Sequence, residues 1–131
     1  MKENVKSVLN ELLNKYPALR EQEENIIAAF EILKTRYAEG NKLLVCGNGG
    51  SAADSEHIVG ELMKKFKKPR GIESVIAKKL ATFGTEGEKL AGVLEGALPA
   101  ISLTSHIALS TAFANDKEPT AAFAQQVYGL G

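Results

Sequence analysis

Cysteine is almost absent, with Cys46 the only one in 131 residues. No intrachain disulfide can form, and a chain without a disulfide framework suits a reducing, cytoplasmic location. An excess of either charge is also missing: 16 Lys and Arg against 16 Asp and Glu give a formal net charge of zero. Nucleic-acid-binding domains ordinarily present a basic face, so no nucleic-acid partner is expected. No apolar run approaches the ~20 residues of a membrane span, so no membrane is expected either. The start, Met1-Lys2-Glu3-Asn4, leads into an amphipathic pattern and not into the apolar segment of a signal peptide. Internal repeats and low-complexity segments are lacking as well. One stretch concentrates charge: Lys64, Lys65, Lys67, Lys68 and Arg70. It reads first as a solvated helix end and second as a polyanion site.

What is present suits a folded domain. The content of 44% hydrophobic and 24% charged residues is ordinary for a globular chain and excludes disorder. The length argues for one domain at most. Val5, Val8, Leu9, Leu12, Leu13 and Tyr16 recur at helical spacing, and Pro17 ends that helix. A second helical pattern carries Ile26, Ile27, Phe30, Leu33 and Tyr37 on one face, with Gly40-Asn41 as its stop. Two long amphipathic helices, 5–16 and 18–39, exceed what one domain's sheet needs. Their spare apolar faces call for a partner helix, as from a second subunit.

Leu43-Leu44-Val45-Cys46 is a short unbroken apolar run, as in a strand buried on both faces of a parallel sheet. The loop Gly47-Asn48-Gly49-Gly50-Ser51 follows, and then a helix from Ala52 to about Phe66. Segments 74–80 and 86–94 both admit a helix, and Pro99–Leu103 reads as a second buried strand. His106 to Ala114 and Thr120 to Tyr128 read as helices, with a turn at Asn115–Pro119 and stops at Gly129 and Gly131. The fold expected is α/β, a three-layer α/β/α sandwich with a parallel sheet, preceded by two amphipathic helices.

The loop at 47–51 carries the first chemical signal. Glycines let backbone N–H groups approach an anion closely, and the following helix points its free amides and positive dipole end at the same place. Ser51 adds a hydroxyl. The pattern is neither a Walker loop nor a dinucleotide fingerprint. The competing reading is a tight turn in which Ser51 caps the helix and Asp54 completes a capping box. The second signal is Asp54, His57 and Glu61 along one helix face. His57 and Glu61, at i and i+4, can share a metal ion or a proton; the competing reading is a solvated face with Glu61 paired to Lys65. Cys46, at a strand's end with no evident base, reads as a core residue. His106 reads as capping or packing at a helix start. Tyr16, Tyr37 and the phenylalanines read as core.

Taken together, Leu43–Ser51 with His57 and Glu61 resembles the phosphoheptose isomerases of the sugar isomerase (SIS) superfamily, whose pattern is G-N-G-G-S with a histidine six residues on and a glutamate ten residues on. Asn115-Asp116 and the tail Phe123-Ala124-Gln125-Gln126-Val127 extend the resemblance over nearly the whole chain, with a poor match between Lys67 and Gly96. The resemblance implies an aldose–ketose isomerase interconverting sedoheptulose 7-phosphate and a heptose 7-phosphate through an enediol. Asn48, Gly49, Gly50 and Ser51 would contact the phosphosugar, and Asn115 and Asp116 its hydroxyls. Glu61 would be the base. His57 and Glu61 would ligate zinc where a member carries it, and no organic cofactor is implied. A homotetramer is implied too. Residues 1–131 would then be one SIS-like domain, with 1–40 a helical oligomerisation segment and 41–131 the phosphosugar-binding part. The family continues into a Ser-Thr-Ser-Gly-Asn-Ser loop and a C-terminal helix with a glutamine and a histidine. These are not among residues 1–131, so this stretch is expected to be part of the working protein and inactive alone. The alternative is a non-catalytic SIS scaffold or phosphosugar-binding protein of the replication-initiator-associating type. Retention of Gly50 and Glu61 favours the enzyme.

Overall fold

The structure, a computed structural model, describes residues 1–131 and divides into two compact units, Met1–Gly40 and Asn41–Gly131. In the first unit, helix α1 (Glu3–Lys15) ends where Pro17 opens a 3-10 turn (Pro17–Gln22), and α2 (Glu23–Ala38) follows. Proline at the start of that turn has no N–H to lose and a backbone angle already set for a helical start. The two helices flank a groove of about 150 Å³ lined by Val5, Leu9, Leu12, Ile26, Ile27 and Phe30. Leu13 is buried, whereas Val8 and Ile32 remain 63% and 62% exposed, which leaves apolar surface uncovered.

The second unit is a helix-rich α/β body around a two-stranded parallel sheet. Strand β1 (Leu43–Val45) pairs with β2 (Ala100–Ser102), in register Leu43 with Ala100, Leu44 with Ile101 and Val45 with Ser102. The parallel order is what two unbroken apolar runs separated by helices predict. Between the strands lie α3 (Gly50–Met63), α4 (Ser74–Ala81) and α5 (Thr85–Val93), and after them α6 (Ile107–Asp116) and α7 (Ala122–Leu130). Ala100, Ser102, Leu103, Ser55 and Gln126 form the buried centre. Three of these five are polar, and each finds a hydroxyl or imidazole partner inside the fold.

Several local expectations are corrected. Asn115 and Asp116 form the last turn of α6, so the turn begins only at Lys117, and α7 runs through Gly129 to Leu130. Tyr16, Phe66 and Phe83 are 50%, 75% and 72% exposed and do not belong to the core. Cys46 is exposed and lies just past the end of β1 at Val45, so it is not a core residue.

The basic run after α3 is partly structural. Arg70 donates to the carbonyls of Leu62 (2.8 Å), Glu61 (3.3 Å) and Lys64, the orphan acceptors at the end of α3. Lys65 offers its backbone N–H and its ammonium to Glu95, at 2.8 and 3.0 Å. These two interactions, the backbone hydrogen bond first, hold the Glu95 carboxyl below its ordinary range. A carboxyl with a lowered folded pKa stabilises above its unfolded pKa, and that stability disappears as pH falls through the folded value. Glu95→Gln is therefore expected to lower the melting temperature at neutral pH and to converge with wild type in acid. A melting-temperature difference that is constant from pH 7 to pH 2 would show that the ionised carboxylate is not what matters.

Candidate active site

The loop between β1 and α3 is built by two glycines with different duties. Gly49 adopts φ +55°, ψ −125°, which side chains rarely tolerate, and from that turn it opens α3 as its N-cap. A Cβ on Gly47 would strike the backbone carbonyl of Ser51, so that position is empty to let the loop close on the helix start. Ser51 N–H bonds to Asn48 O and Ala52 N–H to Gly49 O, both at 3.1 Å. The amides of Gly49 and Gly50 make no backbone hydrogen bond and lie at the positive end of α3. No side chain caps the helix, so the capping box of Ser51 and Asp54 does not form. Asn48, Gly49, Gly50 and Ser51 are all exposed, as an anion cradle requires.

Further along α3, His57 and Glu61 meet, with Nε2 to Oε1 at 3.9 Å. The cation on Glu61 is Lys64 at 3.5 Å, not Lys65, which is held by Glu95. Glu61 side-chain exposure is 30%, against 78% for His57. Its second oxygen, Oε2, is buried and accepts no hydrogen bond. A buried carboxylate oxygen without a donor opposes folding by ~1–3 kcal/mol relative to a hydrogen-bonded one. His57 and Glu61 supply two donors, and no third His, Cys, Asp or Glu joins them in a group. A zinc ion takes four ligands, so these residues alone do not make a zinc site. Asn115 and Asp116 are exposed at the end of α6, where Asn115 Nδ2 donates to Asp116 Oδ1 at 2.8 Å. No hydrogen bond or ion pair joins them to the loop or to Glu61.

Two clusters were not singled out in the sequence. Ser55 on α3 shares its hydroxyl with Ser102 (2.8 Å) and Thr104 (3.2 Å) at the end of β2, and Ser102 meets Thr104 at 2.6 Å. Glu56 accepts from Ser105 at 3.2 Å and from Thr104 at 3.4 Å. These bonds pin α3 to the carboxyl end of β2, so the loop and Glu61 ride on a fixed helix. A signal existed: Ser55 shares helical spacing with the half-buried Ala52, Val59 and Leu62, and a serine on an inward face needs a partner. The other cluster joins His106 to Gln126 at 2.7 Å, so His106 does not cap α6 with its side chain.

Known proteins extend the likeness. The SIS domain family matches residues 7–96. A phosphoheptose isomerase from Roseiflexus sp. (strain RS-1) is 35% identical over 106 residues, covering 81% of this chain and 41% of the relative. One from Shewanella sediminis (strain HAW-EB3) is 32% identical over 132 residues, covering the whole chain and 54% of the relative. The solved structure of phosphoheptose isomerase GmhA from Neisseria gonorrhoeae superposes with a TM-score of 0.55 at 26% identity, over 97% of this chain and 50% of that one. The chain thus spans about half or less of the length of these relatives. A parallel β1–loop–α3 core and a domain match covering well over half of its residues lead to one conclusion: the chain belongs to the SIS domain family.

Proposed function

We propose that this chain supplies the phosphosugar cradle and the proton-transfer carboxylate of an aldose–ketose isomerase acting on sedoheptulose 7-phosphate. The observation that carries the reading is Glu61 with its unpartnered buried oxygen, on the same helix whose N-terminal amides lie open at the Gly47–Ser51 loop. Phosphate would sit on the amides of Gly49 and Gly50 and the Ser51 hydroxyl, with Asn48 beside them. The carboxylate would take the proton from C1 while the C2 carbonyl oxygen gains one, giving the enediol. Returning a proton to C2 as the C1 hydroxyl gives up its own yields the aldose. Asn115 and Asp116, both exposed at the end of α6, would meet the substrate hydroxyls. Zinc enters only as the two donors His57 and Glu61, and no step rests on it. No helix is long and apolar enough to cross a membrane. With the single exposed thiol of Cys46, a cytoplasmic location fits this reading.

Incubating the full-length protein with sedoheptulose 7-phosphate and following aldose formation tests the function. Isomerisation is expected. Binding of the phosphosugar without turnover would replace it with the scaffold reading.

A homo-oligomer, a tetramer, belongs to the same proposal, with α1 and α2 as the interface. The apolar groove and the exposed Val8 and Ile32 support it. Light scattering at micromolar concentration should give a multiple of the chain mass, and replacing Val8 and Ile32 by Glu should lower it. A monomeric wild type would refute the assembly.

A further inference from the structure

Gln126 is 1% exposed and its orientation is determined by its neighbours. Its Nε2 donates to Ser110 Oγ at 3.1 Å and to the backbone carbonyl of Ala122 at 3.5 Å. A main-chain carbonyl can only accept, so the amide nitrogen faces that way and Oε1 faces His106 Nδ1 at 2.7 Å. With Gln126 Oε1 as its partner, the neutral His106 ring carries its proton on Nδ1. Nε2 is left as a bare acceptor and has no hydrogen bond from the protein. The ring lines an open cavity of about 540 Å³ with Ser105, Leu109, Gln125 and Leu130.

The position of His106 gives this acceptor a use. β1 and β2 are neighbours in a parallel sheet, with Val45 opposite Ser102. The chain leaving β2 through Leu103–Ser105 to His106 therefore starts ~5 Å from the chain leaving β1 into the Gly47–Ser51 loop. Ligands of open parallel sheets bind at these carboxyl ends. Ser105, next to His106, is tied to Glu56 of α3 at 3.2 Å. We propose that His106 is a substrate-contacting residue, whose Nε2 accepts a hydrogen bond from a sugar hydroxyl, and that Gln126 is the positioning residue that fixes its tautomer.

This rests on the phosphosugar reading above and selects for a polyhydroxylated body behind the phosphate. An imidazole locked as an acceptor favours a hydroxyl over a group that cannot donate.

The test is nitrogen-15 NMR of labelled histidine in the full-length protein, above the pH at which histidine titrates. His106 should show a protonated Nδ1 and a bare Nε2. Gln126→Glu should preserve that state, and Gln126→Met should release it. A protonated Nε2 in the wild type overturns the proposal, whatever the variants do. Sedoheptulose 7-phosphate should then move the His106 Nε2 resonance, whereas inorganic phosphate should not. His106→Phe should raise the KM for the sugar phosphate ~10-fold and leave inhibition by inorganic phosphate unchanged. A sugar phosphate that binds without moving Nε2 removes His106 but keeps the phosphosugar function. No binding of either ligand removes both.

Discussion

Glu61→Gln should lower turnover of sedoheptulose 7-phosphate by ~10²-fold or more while phosphosugar affinity stays near wild type. Glutamine keeps the shape of the side chain and removes its basicity, so loss of proton transfer is separated from loss of packing. The position suits the task. Ten residues of α3 separate Ser51 from Glu61, a rise of about 15 Å along the axis, of the same order as an extended seven-carbon sugar phosphate. A phosphate at the helix start thus places the far carbons toward Glu61, whereas Asp54 stays at the phosphate end. Oε2 is buried and receives no hydrogen bond from the protein, so the substitution breaks none at that oxygen. The exposed ion pair with Lys64 is worth little, so the melting temperature should stay near wild type, unlike on loss of a structural carboxylate. Ser51→Ala should instead mainly weaken binding. Wild-type turnover in the Glu61→Gln protein would remove Glu61 as the base.

Gly47→Ala should abolish detectable phosphosugar binding and destabilise the fold. The added Cβ would collide with the backbone carbonyl of Ser51, which cannot move without moving the first turn of α3. Relief by backbone displacement costs ~1–3 kcal/mol, and the displaced atoms are those that present the free amides to the phosphate. Gly60→Ala is the control. Gly60 lies inside α3, a Cβ there meets nothing within 4 Å, and alanine should stabilise the helix by ~0.5–1 kcal/mol without touching the loop. Calorimetric titration with sedoheptulose 7-phosphate, paired with thermal unfolding, reads both effects. Undiminished affinity in the Gly47→Ala protein would mean that the loop is not the phosphate cradle.

Much of the architecture was legible because it depends on local pattern. The 3.6-residue spacing of Val5, Leu9 and Leu12, broken by Pro17, marks α1, and two apolar runs of strand length mark β1 and β2. Element ends were less legible. Asn115-Asp116 has turn chemistry, yet α6 extends through both, and Lys117 N–H still bonds to Phe113 O at 3.0 Å beyond them. Gly129 reads as a stop, but α7 continues to Leu130, whose carbonyl accepts from Lys42 Nζ at 2.7 Å. Aromatic residues at helical spacing read as core, and exposed Phe66 and Phe83 show that spacing does not say which face is covered.

The candidate site divides in the same way. The amino-acid sequence alone determined the Gly47–Ser51 loop, its helix, and the i, i+4 alignment of His57 and Glu61, because a strand, a glycine turn and a helix in succession are local geometry. Only the tertiary structure decided which ion pairs form. Lys65 goes to Glu95, thirty residues away, and so leaves Glu61 to Lys64. It also decided that Ser55 locks α3 to β2 and that Gln126 fixes the His106 ring, across separations of 47 and 20 residues. Hydrogen bonds between distant residues depend on how the elements pack, and packing is set by the buried surface of the whole unit rather than by any one stretch of chain.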